Sequence, residues 1–143
     1  MEIDLALLAD AATVDASGKL NILGVFDRIG ARGLPLKYGR VTLVLRFSAG
    51  LEDAGSHDLV LKMRAPDGGE MVNLNGKIQL GPGPMSQGGR MMVPHVLNLD
   101  GLVFKEAGVY HFDLSLDGEH AVSIPLHVAQ MGRPRPDVPV AQA

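Results

Sequence analysis

Residues 57–74, HDLVLKMRAPDGGEMVNL, decide the fold class because two segments of alternating side chains flank a single turn signal. In the PDGG segment at 66–69, proline presets the first turn dihedral and glycine tolerates positive φ. A four-residue loop sets Leu61 against Leu74, whereas a three-residue loop sets it against Asn73. The stretch therefore predicts an antiparallel hairpin closed by a four-residue loop.

The same period of two recurs along the chain between glycine- and proline-rich turns, which is the pattern of half-buried strands. Val41, Leu43, Leu45 and Phe47 alternate most regularly, so their face should lie in the core. The pattern predicts eight strands: 2–14, 19–29, 40–48, 57–65, 71–80, 91–99, 109–116 and 120–129. Eight short strands predict an all-β fold, an eight-stranded antiparallel β-sandwich.

Length and composition indicate one domain. The 143 residues are 46% hydrophobic, which is enough for one ordinary core over residues 1–130. The tail at 131–143, MGRPRPDVPVAQA, is too rich in proline to continue a strand and is expected to be extended or disordered. Its Arg133, Pro136 and Pro139 fit the spacing of a polyproline ligand, a match that is frequent by chance.

Charge and residue types narrow the partners. The formal net charge of −3 argues against binding to nucleic acid or to an anionic membrane. The start, MEIDLALLAD, carries acids where a secretory signal carries positive charge, and we expect a cytoplasmic protein. With no cysteine there is neither a disulfide nor a thiolate metal site, and we expect no cofactor.

Two aspartates, Asp10 and Asp27, interrupt apolar strands and are candidate members of a polar pair. A three-residue loop at 16–18 sets Asp10 against Gly24 and places the two carboxylates on opposite faces. A loop one residue longer puts them on one face, but about 13 Å apart. Because neither register gives the separation of about 5 to 9.5 Å that glycosidase carboxylates need, we predict no catalytic residue and no enzyme.

The final hairpin, around Asp117 and Gly118, carries three of the five histidines. A three-residue loop at 116–118 pairs Phe112 with Val122 and keeps apolar side chains on one face, so we predict that register. In this register the side chains of the three histidines lie too far apart to bind one metal ion. The five histidines show no metal-binding spacing and are interpreted as ordinary solvated or hydrogen-bonded side chains: His57, His95, His111, His120 and His127.

Apolar residues occupy both faces of the first predicted hairpin. Ile3, Leu5 and Leu7 alternate with Ala6 and Leu8, which leaves no polar face. Such a hairpin is either covered on both sides within the domain or meets another chain. We therefore consider a homo-oligomer as one outcome. Its interface would include three residues of this hairpin: Leu8, Leu23 and Val25.

Two segments carry resemblances. EAGVYHF, beginning at Glu106, resembles the tyrosine-corner segment of immunoglobulin-like sandwiches, with phenylalanine where an antibody domain has cysteine. ALLADAATVDASGKLNILGVFDRI at 6–29 and VFKEAGVYHFDLSLDGEHAVSIPLHV at 103–128 resemble a family of small bacterial proteins defined only as a domain of unknown function. The resemblance implies a bacterial, single-domain, all-β protein and supplies no catalytic residues.

These observations predict a non-enzymatic structural or interaction module whose partner is a protein, self-assembly being one case. The alternative is a binding module for a small ligand or carbohydrate, which would use the loops at 30–40 and 81–90. Low aromatic content, with no tryptophan, counts against a carbohydrate platform.

Overall fold

The computed structural model describes residues 1–81 and 89–131, which form two β-sheets around one core. The strands are β1 (Glu2–Val14), β2 (Leu20–Phe26), β3 (Arg28–Ala31), β4 (Leu36–Gly50), β5 (Gly55–Arg64), β6 (Glu70–Leu80), β7 (Arg90–Phe104), β8 (Gly108–Leu116) and β9 (Glu119–Gln130). A short 3-10 turn, Leu51–Asp53, follows β4. Sheet A has the strand order β2-β1-β4-β7, and sheet B has the order β3-β9-β8-β5-β6. The all-β prediction is confirmed.

The described residues contain nine strands rather than the predicted eight because the segment at 19–29 divides at Asp27. Residues Leu20–Phe26 pair with β1 in sheet A, and Arg28–Ala31 pair with β9 in sheet B. The Asp27 carbonyl accepts a hydrogen bond from the His127 amide at 2.8 Å, which anchors the crossing. The β3–β9 pair is parallel, so the prediction of a wholly antiparallel fold is also corrected.

The β5–β6 hairpin has the predicted pairing of Leu61 with Leu74, but its loop is one residue shorter than predicted. The Ala65 amide donates to the Gly69 carbonyl around residues 66–68, and an irregularity between Met63 and Arg64 supplies the extra residue. Gly68 has a φ of +88° and its amide donates to the Ala65 carbonyl, as this three-residue loop requires. The prediction of the pairing succeeds because both strands have one apolar face, so a slip of one residue would expose it.

The β8–β9 hairpin differs from the prediction. Asp117 and Gly118 have φ values of +49° and +83°, which is the geometry of a two-residue hairpin turn, and not of the predicted three-residue loop. Phe112 consequently pairs with Ile124 rather than with Val122. An irregularity between Leu114 and Ser115 adds one residue to the β9 side and restores the apolar face, which is the role of a β-bulge.

The core lies between the sheets, and β4 supplies its centre. Val41, Leu43, Leu45 and Phe47 are all fully buried, as their alternation predicts. Sheet B faces them with inward side chains of β5, β8 and β9: Leu59, Leu61, Met63, Tyr110, Phe112, Leu114, Ile124, Leu126 and Val128.

One end of the core is closed by aromatic side chains. The Tyr110 hydroxyl, which is buried, donates to the Glu106 carbonyl at 2.6 Å. Its ring meets Phe104 of sheet A edge to face, with centroids 4.9 Å apart and an interplanar angle of 84°. This contact joins the two sheets because Phe104 belongs to β7 and Tyr110 to β8.

Among the described residues, no helix has the length and apolar character needed to cross a membrane. Residues 132–143, which contain most of the predicted tail and its polyproline-like spacing, lie outside the described residues.

Candidate interaction face

The outer faces of the two sheets differ in chemistry. On sheet B the outward positions of β5 and β8 are polar except for Val60 and Val109, and some of them are paired: Arg64 donates to Asp113, whose other oxygen accepts from the Ser123 hydroxyl at 2.6 Å. Burial raises the pKa of Asp113, but the Ser123 and Arg64 hydrogen bonds outweigh it and hold that pKa below its ordinary value. Sheet B therefore presents an ordinary solvated face.

Sheet A presents apolar side chains outward on all four strands. Register places Val25, Ala9 and Thr42 in one row across the sheet, and Leu7, Val44 and Val96 in the next. We call the following set the apolar face: Leu5, Leu7 and Ala9 of β1, Leu23 and Val25 of β2, Val44 of β4, and Met92, Pro94 and Val96 of β7.

Exposure within the apolar face rises toward the edge strands. Val44, at the centre, is fully shielded by its neighbours, whereas Leu23 and Val25 on β2 are 71% and 63% exposed. Met92 on the opposite edge strand is 38% exposed. A contiguous apolar surface of this kind on a sheet is typical of an interaction site.

The ends of the apolar face are occupied by ion pairs that are internally neutral. Arg46 lies 2.9 Å from Asp4 at one end, and Arg40 lies 2.6 Å from Asp100 at the other. Hydrogen bonding to the Arg40 guanidinium lowers the pKa of Asp100, so this pair stays ionised at neutral pH. Between them, the Thr42 hydroxyl donates to the Asn98 side-chain oxygen at 2.9 Å.

The structure divides the three predicted interface residues. Leu23 and Val25 lie on the apolar face, but Leu8 does not, because it is 1% exposed and packs in the core. The physical reason is alternation: once Leu5 and Leu7 point outward, Leu8 must point inward. Sequence analysis missed Val44 and Val96, which lie outward in the middle of β4 and β7.

The candidate polar pair does not form. Asp10 lies across from Gly24, in the register given by the three-residue loop, and its carboxylate fills the space where a side chain at Gly24 would stand. Asp27 lies three residues beyond Gly24, where the chain leaves sheet A, and its carboxylate is 3.7 Å from Arg28. Each aspartate thus has a local structural role.

Gly24 gives a first test of this geometry. Its φ of +71° disfavours any residue with a Cβ, and a Cβ there would also meet the Asp10 carboxylate. We expect Gly24→Ala to lower the free energy of unfolding by about 1–2 kcal/mol. Gly33→Ala, where φ is ordinary and the space is open, is the matched control in a urea titration. Equal stabilities of the two variants would contradict the assignment.

The histidines are dispersed over the molecule, and in the part of the chain that the structure describes no three acidic or histidine side chains are placed to hold a metal ion. His95 packs beside Phe47, with ring centroids 6.4 Å apart, and burial lowers its pKa. His57 is different, since both of its ring nitrogens contact acceptors. This arrangement was not predicted from the sequence because Asp117 is 60 residues from His57 in the chain and reaches it only in the folded protein.

Two loops are predicted to bind a small ligand in the alternative interpretation, at 30–40 and at 81–90. Residues 28–31 and 36–50 are strands, which leaves 32–35 as the loop within the predicted 30–40 segment. Residues 82–88 of the other loop lie outside the described residues. A cavity of about 440 Å3 lies between the β5–β6 and β7–β8 turns and is lined by both charged and apolar residues, including Glu70, Lys105 and Val103.

Comparison with known families agrees with the resemblance seen in the sequence. The model of a family of unknown function, DUF6941, matches residues 4–129. The chain belongs to this family. None of the curated proteins matches it. The match begins within β1 and ends within β9, so family membership and the all-β fold describe nearly the same part of the chain.

Proposed function

We propose that this protein is a non-enzymatic interaction module that associates with a second copy of itself through the apolar face of sheet A. The observation that carries the proposal is the contrast between the two outer faces. Most outward positions of sheet B are polar, whereas sheet A places Leu7, Val44 and Val96 outward in a continuous row. The exposed apolar side chains on this face of sheet A, Leu23, Val25 and Met92, cost free energy against water unless another surface covers them.

The size of the apolar face suits the core of an ordinary interface. Strands β1, β4 and β7, spaced about 4.8 Å apart, span roughly 10 by 26 Å over the eight residue steps from Arg40 to Ser48, or roughly 250 Å2, and β2 adds Leu23 and Val25 at the Arg40 end. A standard interface buries about 800 Å2 on each partner, of which rather more than half is apolar. The face therefore supplies part of the apolar area that such an interface needs, and the polar residues among and around its apolar side chains would supply the rest.

The charge pattern favours a second copy as the partner. The ion pairs Asp4–Arg46 and Arg40–Asp100 lie at opposite ends of the face, so the face as a whole has no net charge to repel a copy of itself. If a two-fold axis runs across the strands near Val44, the Asp4–Arg46 pair of one copy lies over the Arg40–Asp100 pair of the other copy. Two-fold pairing uses the same patch on both subunits, which is the commonest symmetry of homo-oligomers.

The test is a charge substitution on the exposed edge of the face. Leu23 and Val25 are more than half exposed, so covering them in a dimer would gain a large part of the 1.5–3 kcal/mol that burial of such a side chain contributes. We expect the double variant Leu23→Glu, Val25→Glu to raise the dimer dissociation constant at least about a hundredfold, because each 1.4 kcal/mol is a factor of ten.

Sedimentation velocity on three proteins measures this effect. The matched control is Leu51→Glu, Val103→Glu, which adds the same charge at two exposed apolar residues outside the apolar face. The proposal predicts dimers for the intact protein and for the control, and folded monomers for Leu23→Glu, Val25→Glu. An intact protein that stays monomeric at about 100 μM, or a dimeric face variant, would refute self-association.

We also propose that the final hairpin corresponds to the tyrosine-corner hairpin of immunoglobulin-like sandwiches. The hydrogen bond from the Tyr110 hydroxyl to the Glu106 carbonyl, four residues upstream, supports this relation. The relation bears on fold and leaves the interaction proposal unchanged.

A further inference from the structure

His57 lies between the short turn four residues before it and the β8–β9 turn, which is 60 residues away in the chain. Its Nδ1 is 2.6 Å from the Asp117 carboxylate of the β8–β9 turn, and its Nε2 is 2.5 Å from the Asp53 carbonyl of the turn that follows β4. The ring itself belongs to β5. One imidazole thus bridges the 3-10 turn at Leu51–Asp53 and the β8–β9 turn.

Both partners of the ring are acceptors, which determines its protonation state. A neutral imidazole has one N–H donor and one lone pair, whereas the imidazolium has two N–H donors. The Asp53 carbonyl can only accept. The Asp117 carboxylate is committed as an acceptor as well, because its other oxygen accepts the Asp58 amide at 2.9 Å. The arrangement is therefore complete only with a proton on each nitrogen.

The surrounding charges agree with an imidazolium. Hydrogen bonding from His57 lowers the pKa of Asp117, and hydrogen bonding from the Gly50 amide lowers the pKa of Asp53. The amino group of Met1 lies 3.1 Å from the Asp53 carboxylate, and Asp58 next to His57 in β5 is 3.7 Å from Lys77. His57, Asp53 and Asp117 line a cavity at this end of the molecule. Three further titratable side chains from β1 and β9 line it as well: Glu2, Glu119 and His120.

We propose that His57 is a pH-sensitive latch that holds the turn at Leu51–Asp53 against the β8–β9 turn while both ring nitrogens are protonated, and that releases the former when Nε2 loses its proton. The Nδ1 proton is retained because it bonds to a carboxylate, which is the stronger of the two interactions. Without the Nε2 proton, a ring lone pair faces the Asp53 carbonyl oxygen at 2.5 Å, and that contact becomes repulsive.

Release is expected at the Leu51–Asp53 turn because it is the weaker of the two partners. It is a single short turn outside both sheets, in which the Ala54 amide donates to the Leu51 carbonyl at 3.2 Å and the Gly50 amide and Met1 amino group contact the Asp53 carboxylate, whereas the β8–β9 turn closes a paired hairpin. The β8–β9 turn is held by further bonds, since the Asp117 amide also donates to the Asp58 carbonyl at 2.9 Å. The effect of proton loss is therefore local and leaves the two sheets paired.

The sign of the pH dependence follows from the direction of the shift. The Asp117 carboxylate, followed by the Asp53 carbonyl, raises the pKa of His57 above the ordinary 6.5. The latch is then fully closed below pH 6.5 and opens as the pH rises through the raised pKa of the folded protein. The direction is opposite to that of a buried neutral histidine, which destabilises the fold when it gains a proton.

Nitrogen-detected NMR of the full chain tests the first part of the proposal. We expect both ring nitrogens of His57 to be protonated at pH 6 and its pKa to exceed 6.5. Asp117→Asn keeps a side chain that tolerates positive φ and still accepts the Asp58 amide, but it removes the negative charge. We expect it to lower the pKa of His57, whereas His120→Gln should leave it unchanged. A His57 pKa at or below 6.5 in the intact protein would overturn the proposal.

Hydrogen exchange tests the second part. After correction for intrinsic exchange rates, protection of the Gly50 and Ala54 amides is expected to fall several-fold as the pH passes the pKa of His57. The Gly68 amide, which donates to the Ala65 carbonyl in a turn without histidine, is the internal control. His57→Gln should remove the pH dependence at Gly50 and Ala54. Protection that does not vary with pH at these two amides, or that falls equally at Gly68, would overturn the latch.

Discussion

Leu8→Glu is expected to unfold the sandwich, with a loss of more than about 4 kcal/mol in the free energy of unfolding. Leu8 is 1% exposed and packs in the core, where β1 sets it opposite Leu43 and Phe26. The substitution removes the burial of a leucine and places a carboxylate in a region without a partner for it, and both effects destabilise the folded state.

Val25→Glu is the matched variant, since it makes a similar change on the neighbouring strand at a side chain that is 63% exposed. At protein concentrations low enough to avoid association, we expect it to change the free energy of unfolding by less than about 1 kcal/mol. Urea unfolding followed by circular dichroism compares the two. A folded Leu8→Glu variant as stable as Val25→Glu would show that β1 is placed with the wrong side inward.

The second large effect is expected at Phe104. Phe104→Ala should lower the free energy of unfolding by about 3–5 kcal/mol, because the ring is fully buried and truncation leaves a cavity between the sheets. It should also remove the edge-to-face contact with Tyr110 and so loosen the β7–β8 connection.

Phe104→Leu separates the two contributions. It keeps most of the apolar volume but removes the aromatic contact, so we expect a loss of less than half that of Phe104→Ala. Thermal and urea unfolding measure stability, and the exchange rate of the Tyr110 amide measures the local effect. A loss below about 1 kcal/mol for Phe104→Ala would contradict the view that this aromatic contact joins the sheets.

The successes and failures of prediction from the sequence have physical causes. The β5–β6 hairpin was predictable because its strands differ between faces, so parity alone fixes that Leu61 meets Leu74. In both hairpins the predicted loop length was wrong, since a shorter loop with a bulge preserves the apolar face as well as a longer loop does, and in β8–β9 the predicted pairs were wrong too. Parity cannot distinguish an extra loop residue from an extra strand residue.

The apolar face was predictable in part. Both sides of β1 are apolar, and the sequence alone does not indicate which side the second sheet covers, so Leu8 was wrongly placed with Leu23 and Val25. Val44 and Val96 become neighbours on one surface only when β4 and β7 pair, and the sequence alone does not show that these two strands are adjacent. The His57 cluster needed the full fold, because His57 and Asp117 are 60 residues apart in the chain.

The central claim, that the apolar face of sheet A binds the same face of a second copy, is tested most directly by isotope-filtered NMR. A mixture of isotope-labelled and unlabelled protein reports only on contacts between different copies. We predict intermolecular NOEs among the methyl groups of Leu7, Val25, Met92 and Val96, and their loss in the Leu23→Glu, Val25→Glu variant. Intermolecular NOEs confined to sheet B, or none at a concentration where the intact protein would be dimeric, would contradict the account.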